Sequence, residues 1–146
     1  MDSKKTRIVW LSCAALLGCA EAPPPPPLAP PKGADVVIVV NDGHDPGPIE
    51  PLVAPGKVTV IDFYAEWCPP CRDVDAHLYP IAEKRQDVAI RKINIVSWDT
   101  PVAEKRLGDV PQLPYLVIYG KNGAVVDRIS GADLARLDRA LDRGAR

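Results

Sequence analysis

The chain is 146 residues long, room for one domain and little more. Hydrophobic residues make up 47% and charged residues 25%, the balance of an ordinary globular protein, which excludes wholesale disorder. Eighteen Lys and Arg against 19 Asp and Glu leave a net charge of −1, without the basic footprint of a nucleic-acid binder.

The first residues carry Lys4, Lys5 and Arg7 against one acid, Asp2, and an apolar run follows from Ile8 to Leu17. A basic start with a short apolar stretch is the pattern of an export signal, and the run is shorter than the ~20 residues of a spanning helix. Leu16-Leu17-Gly18-Cys19 comes next and resembles the lipobox of bacterial lipoproteins. The resemblance implies that residues 1–18 are a lipoprotein signal peptide and that the Cys19 sulfur carries the lipid. Ala20 after that cysteine points to the outer membrane, by analogy with lipoprotein sorting. A competing reading is ordinary cleavage at Ala20-Glu21-Ala22, which would discard Cys19 and release a soluble protein.

Residues 19–34 read as a tether. Pro23 to Pro27, Pro30 and Pro31 fix φ and remove backbone donors, which favours an extended polyproline form. At ~3.1 Å per residue it would hold a following domain roughly 40 Å from the membrane.

Residues 35–146 read as the folded domain. Val36 to Val40 is a continuous β-branched run, predicting a strand buried on both faces. A Gly- and Pro-rich loop from Asn41 to Pro55 leads to a second strand, Val58 to Tyr64. Cys71, Val74, Leu78 and Ile81 recur at helical spacing, with a kink predicted at Pro80. Val88 to Val96 reads as a third strand. Thr100-Pro101 reads as the cap and first turn of a short helix ending near Gly108. Tyr115 to Tyr119 and Val125 to Ile129 flank Asn122-Gly123, a preferred hairpin turn. A last helix spans Asp133 to Arg143, with Leu134, Leu137 and Leu141 on one face. The order predicts an α/β fold, a mixed sheet flanked by helices.

The chemistry concentrates in Trp67-Cys68-Pro69-Pro70-Cys71, between the second strand and the long helix. Two intervening residues let both sulfurs meet on one turn. The first cysteine lies at a helix N-terminus, where unpaired N–H groups favour a thiolate, the nucleophile of disulfide exchange. The second, one turn in, is placed to attack the mixed disulfide that forms. A zinc cage would need two more ligands, and only His44 and His77 are available, both read as surface residues.

Val60 to Cys71 and Pro111 to Gly123 resemble the thioredoxin family, and the element order is also that family's. Together they extend over nearly all of residues 35–146. The resemblance implies a thioredoxin fold with Cys68 as the attacking cysteine and Cys71 as the resolving one. It implies that Pro114 is the cis-proline facing the redox pair, and that Asp62 is the buried carboxylate relaying a proton to or from the second sulfur. It further makes Lys92 the partner of that carboxylate and Trp67 the indole covering the reactive edge. Three departures stand out: Pro69-Pro70 in place of Gly-Pro, a helix proline displaced to Pro80, and the less polar segment Val96-Ser97-Trp98-Asp99.

The sequence therefore predicts a thiol–disulfide oxidoreductase of the bacterial cell envelope, lipid-anchored and facing the periplasm. Reduction is favoured over oxidation, because Asp62 and Lys92 follow the thioredoxin pattern and no histidine lies between the cysteines. The dithiol is itself the redox group, so no cofactor and no metal are called for. The expected partners are exported proteins with cysteines, and a transmembrane electron donor or other redox partner. The alternative is a non-catalytic or copper-handling lipoprotein. Soft metal sites recruit methionine, and the sole methionine is Met1.

Overall fold

The structure, a computed structural model, describes residues 26–146; Cys13, Cys19 and the residues read above as a signal segment and lipobox lie outside the described residues. Five strands form one sheet: β1 (Asp35–Val39), β2 (Val58–Tyr64), β3 (Val88–Asn94), β4 (Tyr115–Tyr119) and β5 (Val125–Ser130). Three helices accompany them: α1 (Pro69–Lys84), α2 (Pro101–Arg106) and α3 (Leu134–Gly144). The spatial order is β1-β3-β2-β4-β5. β1, β3 and β2 run parallel, β4 pairs antiparallel to β2, and β5 pairs antiparallel to β4.

Alternation along the central strands sorts side chains into two cores. Val58 and Val60 of β2, with Val88 and Ile90 of β3, pack under α1 and α3 against Val74, Leu78, Leu137 and Leu141. Ile61 and Phe63, with Ile93, face the other way towards Val102 and Ala103 of α2. Asp62 and Lys92 share the phase of the first set, so the pleat points both at α1.

The first strand corrects the sequence reading. β1 is an edge strand paired only to β3, and Val37 and Ile38 are 46% and 47% exposed. A β-branched run marks strand propensity, but burial depends on the position in the sheet, which such a run does not encode. Asp35 pins the start of this edge, accepting from Arg91 (2.7 Å) and Lys57 (2.8 Å). Those hydrogen bonds, Arg91's first, hold the Asp35 carboxyl below its usual range.

β3 stops at Asn94, short of the expected Val96, because Val96 takes a left-handed conformation (φ +64°) that no strand continues. Thr100 caps α2 by backbone position alone. Its hydroxyl donates instead to the carbonyls of Ile95 (2.6 Å) and Ser97 (2.9 Å), which closes the loop below Val96. Helix α1 runs on through Pro80, whose ring nitrogen cannot donate to the carbonyl of Ala76. Before β1, the described end of the proline-rich segment lies on α1. Leu28, Ala29 and Pro31 line a groove with Asp75, Ala76, Tyr79 and Pro80. Among the described residues no helix is long and apolar enough to cross a membrane.

Candidate active site

β2 ends at Tyr64, and a tight turn closed by Cys68 N–H donating to the Ala65 carbonyl (3.1 Å) leads straight into α1. Cys68 is the N-cap of that helix and Pro69 and Pro70 are its first two residues, where a missing N–H costs nothing. The Cys71 N–H donates to Cys68 Sγ at 3.2 Å. The two sulfurs are joined in a disulfide with S–S 2.09 Å and Cα–Cα 5.4 Å. Both cysteines are nearly buried, in one cluster with Leu113, Phe63 and Ile95. Trp67 and the two prolines stand exposed around them.

Trp67 is 50% exposed, yet its position is fixed: Nε1 donates to the carbonyl of Val96 at 2.5 Å. The Val96 N–H is held in turn by Asn94 Oδ1 (2.8 Å). Val96 and Trp98 are exposed beside it, so the unusual loop after β3 adds apolar surface next to the cysteines. Leu113-Pro114 is a cis peptide bond immediately before β4. The register Phe63↔Tyr115 brings that bond to the end of β2 from which the cysteine loop departs. The Pro114 carbonyl accepts from the N–H of Gly131 (2.8 Å).

Beneath α1, Asp62 and Lys92 are register partners on neighbouring parallel strands. Lys92 Nζ donates to Asp62 Oδ2 at 2.6 Å, and also to Asp75 Oδ1 on α1. The ammonium lies over the ring of Tyr64, 4.2 Å from its centroid. Lys92 is 2% exposed and Asp62 fully buried, so the lysine is no surface strand residue. Burial penalises the Lys92 ammonium, but the fields and hydrogen bonds of the two carboxylates outweigh it and hold its pKa above the usual lysine value. Burial pushes the Asp75 carboxyl above the usual carboxylate range against the pull of Lys92. Burial also pushes the Tyr79 hydroxyl up to about 12. The second oxygen of Asp62, Oδ1, has no hydrogen-bond partner among the described residues.

A family model described as Thioredoxin matches residues 50–143. The chain belongs to the thioredoxin family. It is 34% identical over 102 residues to the mitochondrial thioredoxin-2 of Schizosaccharomyces pombe, across 70% of this chain and 74% of that one. The solved structure of spinach chloroplast thioredoxin f in its short form is similar at 27% identity and a TM-score of 0.60, covering 77% of this chain and 96% of that one. A chain from the crystal structure of the complex of ferredoxin:thioredoxin reductase and thioredoxin f2 is similar at 27% identity and a TM-score of 0.58, with the same coverage. The fold and the Cys68–Cys71 pair are those of a thioredoxin-type thiol–disulfide oxidoreductase.

For this thioredoxin-family chain the structure gathers Trp67, Cys68, Cys71 and the Leu113–Pro114 bond at one end of the sheet. Asp62 and Lys92 sit below, on the α1 side. His44 is exposed, and His77 pairs with Asp138 at 2.7 Å on the surface. Asp75 escaped the sequence reading. Its signal was available: it lies four residues after Cys71 and one after Val74, on the buried side of an amphipathic helix where a solvated acid has no place.

Proposed function

We propose that this chain is a disulfide reductase of the bacterial cell envelope, anchored by lipid on Cys19 and facing the periplasm, with the outer membrane as its site. The observation that carries the reaction is a dithiol/disulfide pair capping a helix start, with a buried carboxylate–ammonium pair below. The Cys68 thiolate attacks one sulfur of a substrate disulfide. The substrate S–S bond breaks, one substrate thiolate leaves with the electron pair, and a Cys68–substrate disulfide forms. Cys71 then gives its proton to Asp62, whose Oδ1 is free to accept it, and attacks Cys68 Sγ. The second substrate thiolate leaves and is protonated, and the Cys68–Cys71 disulfide remains. Two electrons have passed from the dithiol to the substrate.

Trp67 and the Pro114 peptide lie at the same end of the sheet as the sulfurs and give an extended substrate segment its docking edge. Restoring the dithiol requires a donor of two electrons. The likeness to a thioredoxin solved with its reductase supports a redox partner in that role. In an exported setting the partner must bring electrons through the membrane, and the substrates are exported proteins with cysteines. The basic, apolar and Leu16-to-Cys19 segments support the address.

In a disulfide-reduction assay Cys68→Ser loses activity altogether, and Cys71→Ser accumulates a mixed disulfide through Cys68. Preferential trapping through Cys71 in the converse variant would reverse the roles. Cys19→Ser releases the protein from the membrane fraction and abolishes labelling by a fatty-acid analogue. A wild type that is soluble and begins at Pro23 would replace the anchor with ordinary cleavage.

A further inference from the structure

We propose that Asp75 is a positioning residue for proton transfer: it keeps Lys92 charge-compensated while Asp62 holds the proton of Cys71. The inference rests on the reading of Asp62 as the proton acceptor and adds a second carboxylate to it. The geometry is a three-centre bridge. One ammonium donates to Asp62 on β2 and to Asp75 on α1, and among the described residues neither acid has another cation in hydrogen-bond reach. With both acids ionised this buried cluster carries one negative charge in excess.

Consider the resolving step with Asp62 and Lys92 alone. Taking up the Cys71 proton neutralises Asp62 and leaves a buried ammonium without a counter-ion, a costly arrangement. With Asp75 present the same proton removes the excess charge instead. Lys92 stays protonated and paired throughout, now with Asp75. The Cys71 S–H bond breaks, Asp62 takes the proton at Oδ1, and the Cys71–Cys68 bond forms as the substrate thiolate leaves with its electron pair. Asp62 then returns the proton to solvent or to the departing thiolate.

Asp75 is well placed for this. It lies one helical turn below Cys71, and the two line a small cleft with Pro27, Tyr64, Glu66 and Arg72. The groups facing the two acids are Lys92 from β3, Tyr64 from β2, Tyr79 and Arg72 from α1, Glu66 from the connecting turn, and the cysteines themselves. Glu83, further along α1, borders the outer groove. Lys92 bonds both acids, so the coupling between Asp62 and Asp75 passes through it.

The test is stopped-flow reaction of the reduced protein with a symmetrical aromatic disulfide. The first equivalent of aromatic thiolate reports attack by Cys68, and the second reports resolution by Cys71. Asp75→Asn slows the second phase relative to the first by about tenfold at pH 7 and moves its acidic limb to lower pH, because a like charge in the cluster is gone. The deficit narrows as pH rises past the ordinary cysteine range. Asp75→Glu restores much of the second phase. A folded Asp75→Asn with an unmoved limb and a normal second phase overturns the proposal. Should that variant fail to fold, carboxyl-carbon NMR titration of the wild type decides. Coupled, two-step curves for Asp62 and Asp75 support the bridge, and independent single-step curves overturn it. Asp62→Asn with an unaltered second phase would instead refute Asp62 as the acceptor. Loss of no phase in Cys68→Ser would refute the thiol chemistry itself.

Discussion

Lys92→Met removes the cation that bonds two buried carboxylates and replaces it with an apolar chain of similar length. Breaking a buried ion pair from one side costs about 3–5 kcal/mol, because the remaining charge is left uncompensated. Here two carboxylates are left facing each other, which puts the expected loss at the upper end. For a domain of this size that corresponds to a melting point lower by roughly 12–20 °C. The loss depends on pH. Lys92, with its raised pKa, contributes stability that is fully present below its unfolded value of about 10.4, so the wild type keeps the bridge through neutrality. A buried carboxyl with a raised pKa, such as Asp75, costs nothing below its unfolded value of about 3.9. It costs progressively more as pH rises from there to its folded value. Without Lys92 that folded value climbs further. The deficit of Lys92→Met is therefore larger at neutral pH than near pH ~4. Urea denaturation of both proteins with the disulfide intact, repeated across this range, measures it. Combining Lys92→Met with Asp62→Leu and Asp75→Leu recovers most of the loss, since a well-packed apolar replacement of a buried ionic cluster is often neutral or better. A deficit that is flat in pH, or below about 1 kcal/mol at pH 7, would mean that water reaches the cluster and that its charges are not held as described.

Val96→Gly stabilises the fold by about 0.5–1 kcal/mol in denaturant titration: relief of a strained left-handed valine exceeds the entropy that glycine adds to the unfolded chain. A lower midpoint would show that the half-exposed valine side chain packs for more than its backbone costs. Asp127 accepts from Arg136 and Arg143, and its carboxyl is held down to about 2, chiefly by the Arg136 hydrogen bond. That contribution is present above the unfolded value of about 3.9 and is lost as pH falls towards 2. Both arginines are half exposed, so Asp127→Asn costs about 1 kcal/mol or less at pH 7 and nothing at pH ~2, read from midpoints at the two pH values.

The sheet and helices were legible because period-two and helical spacings, Asn122-Gly123 and the prolines at helix starts each act locally. What local signals do not carry is which strand ends up at an edge. Val36 to Val40 carries the composition of a central strand, and only the crossover order of the sheet leaves it half exposed. The cysteine pair was readable from its spacing at a helix start, and Asp62 and Lys92 through resemblance. Asp75 was not, because its meaning comes from Lys92, which lies 17 residues away and reaches it across the gap between β3 and α1. The left-handed turn at Val96 was hidden for a similar reason. A valine gives no warning of positive φ, and the turn is held by Asn94, Trp67 and Thr100 together.

The dipeptide between the cysteines has a consequence for how readily the pair parts with electrons. An N-cap side chain ordinarily draws on the N–H groups of the second and third helical residues. Here the second is Pro70 and the first is Pro69, so the single backbone donor reaching Cys68 Sγ is Cys71, at 3.2 Å. A thiolate on Cys68 is thus cradled by one hydrogen bond, at a helix whose first two peptide nitrogens offer no proton. A dithiol whose thiolate is firmly held resists reoxidation, and such pairs are strong oxidants. Withholding donors works in the opposite direction. Relative to the same helix start with an N–H at residue 70, this pair is expected to give its electrons away more readily, and Pro70→Ala to raise its potential in glutathione redox buffers.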